Sequence, residues 1–153
     1  MKVHRITEAA VIDAPADRLF GILADYRVGH PAILPRRCFT GLAVEQGGYG
    51  AGTVIRVGML VAGRKRTFRA AVSEPVPGSV LVETGLDAEV VTTFMVQPRD
   101  GDGARVEIAT DLPTHDGLLG MLERIFATRF LRRVYREELG LLAKYARSAP
   151  EGS

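Results

Sequence analysis

An alternation of apolar and polar residues over positions 39–112 most constrains what this chain can fold into. The segment "GTVIRVGMLV" places Ile55, Val57 and Met59 on one side, and "ARVEIATDLP" does the same with Val106 and Ile108. A period of two is typical of strands with one buried face, and the glycine, proline and aspartate residues between the segments are typical of turns. The pattern predicts an antiparallel meander of about six strands, preceded by one more strand over residues 3–12.

A helical pattern over about 115–147 closes the chain, but its apolar residues change sides. One cluster, which includes Leu118, Leu122 and Phe126, lies nearly opposite a second cluster that begins at Phe130. Slow drift of a helical stripe is only about 20° per heptad and cannot produce this change. We therefore predict a break near Ala127–Arg129, with a short segment over about 116–126 and a long helix to about 146.

The meander needs a cover for its apolar face, and the final helix is the only predicted element long enough to supply it. Two short helices, in "ADRLFGILADY" and "PAILP", are predicted between the first strand and the meander. These elements predict an α+β domain over residues 1–147, with about seven antiparallel strands curved around the C-terminal helix. The remaining residues, 148–153, are predicted to form a disordered tail.

Four glycines within "GGYGAG", at positions 47–52, raise the question of a phosphate-binding loop. The dinucleotide fingerprint requires a third glycine where Thr53 stands, and it requires a helix immediately afterwards. The residues that follow, "TVIRVGMLV", predict a strand, so no helix N-terminus is available to receive a phosphate. A tight connection between two strands is the better interpretation.

Composition narrows the class of protein further. The 20 basic and 18 acidic side chains nearly balance, which argues against a nucleic-acid partner. No apolar run approaches the length of a membrane span, and a single cysteine, Cys38, cannot form a disulfide within the chain. We predict a cytoplasmic protein without a transmembrane segment, a metal or a cofactor, since the three histidines have no ligand spacing. Homodimer formation is left open.

Several phrases resemble the START-related SRPBCC superfamily of polyketide cyclase/dehydrase-like and lipid-transport proteins. "VIDAPADRLFGILADY" is similar to the first strand and helix of that family, and "GGYGAGTVIRV" to its turn into a later strand. "LERIFATRFLRRVYREELGLLAKYA" is similar to the C-terminal helix of its uncharacterised bacterial members. The resemblance implies the helix-grip fold. A tryptophan that many members carry after the first helix is absent, and "GHPAIL" stands there.

The resemblance also implies a cavity between sheet and helix, which would suit an apolar ligand. The alternative is that the same side chains meet and fill the space. The residues expected to line the cavity are the apolar ones of the second short helix, the sheet and the C-terminal helix, namely Ile33, Leu34, Ile55, Val57, Met59, Phe68, Ala70, Val82, Phe94, Val106, Ile108, Phe126, Phe130 and Val134.

Polar candidates are few. Tyr26 and His30 fall in the broken helical region that would border the cavity, where either side chain would serve as a proton donor or an anchor. The arginines at 129, 132, 133 and 136 share one helix face, which is interpreted as solvated. The minor alternative is that this face contacts a partner or a membrane surface.

Three hypotheses follow. The leading one is a protein that binds a small hydrophobic molecule, such as a lipid or polyketide-like aromatic. The second is a cyclase or dehydratase that acts on a polyketide-like substrate in the same cavity, and the third is an interaction protein that uses the arginine face. Two or more ionisable groups converging inside the cavity would favour the enzyme, and an apolar lining would favour binding. Residues 116–126 are considered as a lid.

Overall fold

The computed structural model describes residues 2–148, which form seven strands and three helices. The strands are β1 (Val3–Ile12), β2 (Phe39–Gln46), β3 (Val54–Val61), β4 (Arg64–Val76), β5 (Val80–Gly85), β6 (Val91–Pro98) and β7 (Ala104–Pro113). The helices are α1 (Ala16–Ala24), α2 (Gly29–Ala32) and α3 (Gly117–Ser148). The element order confirms the predicted α+β class. The predicted tail lies outside the described residues except for Ser148, which ends α3.

The seven strands form one antiparallel sheet in the order β1-β7-β6-β5-β4-β3-β2. The pairing of β1 with β7 departs from a simple meander. It follows a continuous register from Val3–Pro113 to Ile12–Ala104. Register shifts in β2 and β4 interrupt the otherwise regular ladders. Such irregularities bend strands and increase their twist, and the sheet curves around α3 in the helix-grip arrangement.

Helix α3 runs from Gly117 to Ser148 without interruption, so the predicted break near Ala127–Arg129 is wrong. No proline or glycine lies at residues 127–129, so nothing in the local backbone ends the helix there. The change of apolar face is present. The first cluster is largely exposed to solvent, whereas Val134, Tyr135 and Leu142 of the second are buried. The helix needs no break because its first apolar face stays largely exposed and so does not have to be turned towards the core.

The hydrophobic core lies at one end of the space between sheet and helix. It joins α1, the C-terminal half of α3 and the inner faces of β5, β6 and β7, with Leu19, Leu81, Val96 and Val106 essentially inaccessible. At the other end, between the N-terminal half of α3 and strands β3 and β4, the side chains do not meet. A cavity remains there.

The turn between β2 and β3 contains the four glycines, and β3 follows it as the sequence predicts. Gly48 and Gly50 have positive φ angles of 146° and 61°, which favour glycine. The carbonyl of Gly48 accepts a hydrogen bond from the amide of Tyr26 at 2.9 Å, and the amide of Gly50 donates to the carbonyl of Ala24 at 2.9 Å. The turn therefore fixes the backbone at the end of α1, just before α2.

Candidate functional site

A cavity of about 290 Å³ lies between the inner face of the sheet and α3. Its size falls near the lower end of the range for small-molecule sites, about 300–1,000 Å³. Ten of the fourteen residues expected at the cavity lie on its wall, namely Leu34, Ile55, Val57, Met59, Phe68, Ala70, Phe94, Phe126, Phe130 and Val134. Their role in holding a ligand stays a prediction.

The other four expected residues lie elsewhere. Ile33, Val106 and Ile108 are buried in the core, where neighbouring side chains fill the space. Val82 was assigned to the wrong face of the sheet. Its two neighbours on β5, the buried Leu81 and the cavity residue Glu83, face inward, so Val82 projects from the opposite face.

The cavity has an open end and a closed end. Phe126 of α3 and the residues Asp87 and Ala88 of the β5–β6 turn are exposed cavity residues and form part of its rim. The closed end carries most of the polar cavity residues. These are His30 of α2, Glu83 of β5, Thr92 of β6, Thr110 of β7, and Tyr135 and Glu138 of α3. Arg69 and Asp87 lie outside this group.

His30 is held in a defined orientation. Its ring stacks on Tyr26 at a centroid distance of 4.5 Å and meets the edge of Phe94 at 5.3 Å. Nδ1 lies 2.7 Å from the carbonyl oxygen of Leu23, and because a carbonyl only accepts, Nδ1 must carry the proton. Nε2 therefore faces the carboxylate of Glu83, at 3.7 Å from Oε2.

The same Glu83 oxygen accepts a hydrogen bond from the hydroxyl of Tyr26 at 2.7 Å. Burial first, and then the neighbouring charge of Glu83, raise the pKa of Tyr26 well above its ordinary value, so Tyr26 stays a neutral donor. Tyr26 does not line the cavity, although it was a candidate. It orients the carboxylate and the imidazole that do.

Glu138 is the unusual group of the site. Its side chain is 3% exposed, and within residues 2–148 its Oε2 atom makes no hydrogen bond. Burial, and then the charge of Glu83, raise the pKa of this carboxyl well above its usual value. The raised pKa extends the neutral, protonated form of Glu138 to higher pH than in an ordinary carboxyl, and the side chain places an unsatisfied polar atom at the cavity wall.

A chain of hydroxyl groups lies beside Glu138. Thr92 and Thr110 face each other across β6 and β7 with their oxygens 2.9 Å apart, and Thr110 is also hydrogen-bonded to the hydroxyl of Tyr135. Burial raises the pKa of Tyr135, so its hydroxyl remains protonated. The closed end thus presents two carboxyl groups, an imidazole and hydroxyls within a largely apolar lining.

Sequence reasoning identified His30 but missed Glu83 and Glu138, because charged residues in strands and helices usually face solvent. A signal existed for each. Glu138 lies four residues after Val134 and four before Leu142, so it interrupts the buried stripe of α3. Glu83 shares the inward parity of Leu81.

The arginine face of α3 lies away from the cavity. The Nε atom of Arg136 lies 3.1 Å from Oε1 of Glu8 in β1, and the Nε atom of Arg132 lies 3.9 Å from the same oxygen. Cys38 is buried, and burial raises the pKa of its thiol. Within residues 2–148 no group of three or more potential ligands is arranged to hold a metal ion. No helix in that range is long and apolar enough to cross a bilayer.

This architecture, a curved seven-stranded sheet gripping a long helix around a cavity, is that of the helix-grip proteins. The family model described as "Polyketide cyclase / dehydrase and lipid transport" matches residues 3–147, so the chain belongs to that family. The membership confirms the resemblance seen in the sequence. No curated protein matches the chain in sequence.

Solved structures give the same fold. The KanY protein is 28% identical, with a TM-score of 0.83 and an alignment covering 97% of this chain and 100% of that one. The Zhui aromatase/cyclase from Streptomyces sp. R1128 is 18% identical, with a TM-score of 0.80 and 99% coverage of both chains. A START superfamily protein from Mycobacterium smegmatis is 16% identical, with a TM-score of 0.74, covering 94% of this chain and 97% of that one. The last two are similar in fold alone.

Proposed function

We propose that this protein is an enzyme that binds a small, largely apolar, polyketide-like molecule in its cavity and cyclises or dehydrates it by general acid–base catalysis. The family description and the fold of the aromatase/cyclase support this class of reaction. The discriminator set out from the sequence also favours catalysis over binding alone, because Glu83, Glu138 and His30 converge on one end of the cavity.

The observation that carries the proposal is the buried, unpaired Oε2 atom of Glu138. A buried polar atom without a partner costs about 1–3 kcal/mol, and native proteins retain few of them. A ligand oxygen at the closed end would accept a hydrogen bond from this carboxylic acid. The cost to the empty protein would then be offset in the complex, where a carbonyl is the natural acceptor.

The pair of Glu83 and His30 would supply the base. One of them removes a proton from the carbon beside a substrate carbonyl, and Glu138 gives its proton to the oxygen of the carbonyl that this carbon attacks. A carbon–carbon bond forms, the ring closes, and the former carbonyl becomes a hydroxyl. The base then gives its proton to that hydroxyl, which leaves as water, while Glu138 accepts a second proton from the neighbouring carbon. A carbon–carbon double bond forms, and both groups return to their starting states. The apolar walls would hold the flexible chain in a folded shape.

Binding or transport without chemistry is the second candidate. The cavity wall towards the rim is almost entirely apolar, and the family description includes lipid transport. For a carrier, the polar end would anchor a headgroup or carboxyl and nothing more. In that case substitutions of Glu83 and Glu138 would change only the affinity for the ligand.

The first experiment is native mass spectrometry of the freshly purified protein, followed by extraction of any bound molecule. Turnover is then measured with synthetic poly-β-ketone thioesters of graded length and with analogues of the extracted molecule. Glu138→Gln and Glu83→Gln are expected to lower kcat by about 10²–10⁴-fold, the usual contribution of an acid or base. Glu137→Gln is the matched control, since the carboxylate of Glu137 pairs with Arg37 on the surface and does not line the cavity.

Two results would contradict the proposal. One is that the wild-type protein binds the compounds of the series but converts none of them faster than the uncatalysed rate. The other is full activity of Glu138→Gln. The first would leave the carrier as the better interpretation, and the second would remove the proposed acid.

A further inference from the structure

An exposed row of large apolar side chains covers the N-terminal half of α3. Leu118 and Leu119 are 70% and 71% exposed. Four further side chains are each between 43% and 52% exposed, namely Met121, Leu122, Ile125 and Phe126. A contiguous apolar surface of this kind is uncommon on a soluble domain and marks a contact with something else. We call these six residues the apolar face.

The apolar face lies at the rim of the cavity. Phe126 belongs to both, since it lines the cavity and stacks on Phe130 at 5.8 Å. The opposite side of the cavity ends at the β3–β4 hairpin, where Val61 and Phe68 are cavity residues. The tip of that hairpin, residues 62–67, is exposed throughout. The helix and the hairpin thus flank one opening.

The tip of the hairpin and the N-terminal segment of α3 together carry an excess of positive charge. Residues 62–67 and 116–129 contain five basic side chains (Arg64, Lys65, Arg66, Arg124 and Arg129) and two acidic ones (Asp116 and Glu123). The structure of residues 2–148 gives no ion pair to Arg64, Lys65, Arg66 or Arg129. Glu123 lies 3.3 Å from His115, and Arg124 donates to the carbonyl of His115.

We propose that this rim docks on an anionic lipid membrane, with the apolar face in the interface and the hairpin cations against the lipid headgroups. An apolar helix face beside basic side chains is the pattern that binds such interfaces. Each basic residue near an anionic surface strengthens the attraction to it, and the apolar side chains add the stabilisation of their burial.

Charge argues for a membrane over a second copy of this chain. Two copies meeting through this rim would bring like-charged segments together, which is unfavourable in an interface. The β5–β6 turn lines the cavity at Asp87 and Ala88 and exposes the acidic Asp87 and Glu89, so it is expected to lie farther from the anionic surface than the helix and the hairpin do. Docking in this orientation would place the opening against the layer in which an apolar molecule dissolves.

The docking proposal rests on the proposed function only in assuming an apolar ligand, and it is tested without any substrate. The purified protein is sedimented with vesicles of phosphatidylcholine and with vesicles containing one quarter phosphatidylglycerol. We expect at least tenfold stronger partitioning to the anionic vesicles, weakened by salt because the charges are exposed.

Two pairs of variants locate the surface. Leu118→Ser/Leu119→Ser and Arg64→Glu/Arg66→Glu are each expected to lower partitioning at least tenfold. Val11→Ser/Val76→Ser removes comparably exposed apolar groups distant from the rim, and Lys144→Glu/Arg147→Glu reverses charge at the far end of α3. Both control pairs should bind as the wild type does. All substituted side chains are exposed, so folding, checked by circular dichroism, should be retained.

Three outcomes would overturn the docking proposal. They are no partitioning of the wild type, equal partitioning to both vesicle types, and a wild-type dimer in light scattering that Leu118→Ser/Leu119→Ser converts to monomer. Turnover of a water-soluble substrate in the absence of vesicles should be the same for Arg64→Glu/Arg66→Glu, which lie outside the cavity wall and outside residues 116–126, and for the wild type. Loss of docking and loss of chemistry are therefore separable.

Discussion

The two halves of α3 belong to one uninterrupted helix, yet they have opposite surroundings. In the C-terminal half, Val134 and Leu142 are each 1% exposed and pack in the core. In the N-terminal half, the apolar residues face solvent or the cavity. Continuity of the backbone therefore does not imply continuity of packing. One half contributes most of the helix's burial energy, and the other is free to serve the cavity and its rim.

The largest expected effect is a difference in stability between these halves. Leu142→Ala should lower the free energy of unfolding by about 2–5 kcal/mol, because it leaves a void among packed side chains. Leu118→Ala, at an exposed position, should change it by less than about 0.5 kcal/mol. Urea denaturation of both variants measures the difference. Similar values would mean that the N-terminal half is packed in solution.

Glu138 lies in the buried half of α3 but lines the cavity, so substituting it tests how the two surroundings meet. Glu138→Leu replaces a buried, unpaired carboxyl with an apolar side chain of similar size, so it should raise the free energy of unfolding by about 1–3 kcal/mol. The same variant should lose activity, the expected trade-off at a site that stores instability for function. A loss of stability would indicate that Glu138 has a structural partner in solution.

The pH dependence of stability gives a smaller, signed effect. Because the pKa of Glu138 is raised in the folded state above its ordinary value of 4.5, the folded protein binds the extra proton. Its stabilising contribution is complete below about pH 4.5 and is lost as the pH rises towards the folded-state pKa. The unfolding free energy of the wild type relative to Glu138→Gln should fall by up to ~1.4 kcal/mol per pH unit across this window. A flat or rising difference would contradict a protonated Glu138.

The smallest expected effect concerns the proposed lid, residues 116–126. Phe126→Ala should leave stability nearly unchanged because the ring is half-exposed, but it widens the rim of the cavity. Stopped-flow binding of an apolar fluorescent probe should show on- and off-rates that increase a few-fold. Unchanged rates would count against a gating role for this segment.

Much of the fold could be predicted from the sequence because its signals are local. Alternation in "GTVIRVGMLV" and "ARVEIATDLP" gives strands with one buried face, and both are strands in the structure. The break in α3 was predicted on the assumption that every apolar face must be packed. Leu118 and Leu122 do not meet that assumption, so the helix continues.

The site was less predictable because it depends on parity and on distant partners. In "SVLVET" three consecutive apolar residues leave the inward face ambiguous, and Val82 was chosen where Glu83 faces inward. Tyr26 and Glu83 are 57 positions apart, so their hydrogen bond has no local signal. The interruption of the apolar stripe of α3 at Glu138 could be detected in the sequence. Because α3 contains many charged residues, one more carboxylate gave no distinct signal.

The glycine turn between β2 and β3 has a consequence for mutational tolerance. It is joined to the end of α1 by main-chain hydrogen bonds through Gly48 and Gly50, and Tyr26 is one of the residues that it holds. Side-chain replacements at the exposed Tyr49 leave these bonds intact, whereas replacements at Gly50 oppose its positive φ. In a saturation screen for activity, position 49 should accept many residues and position 50 few, although neither touches the cavity.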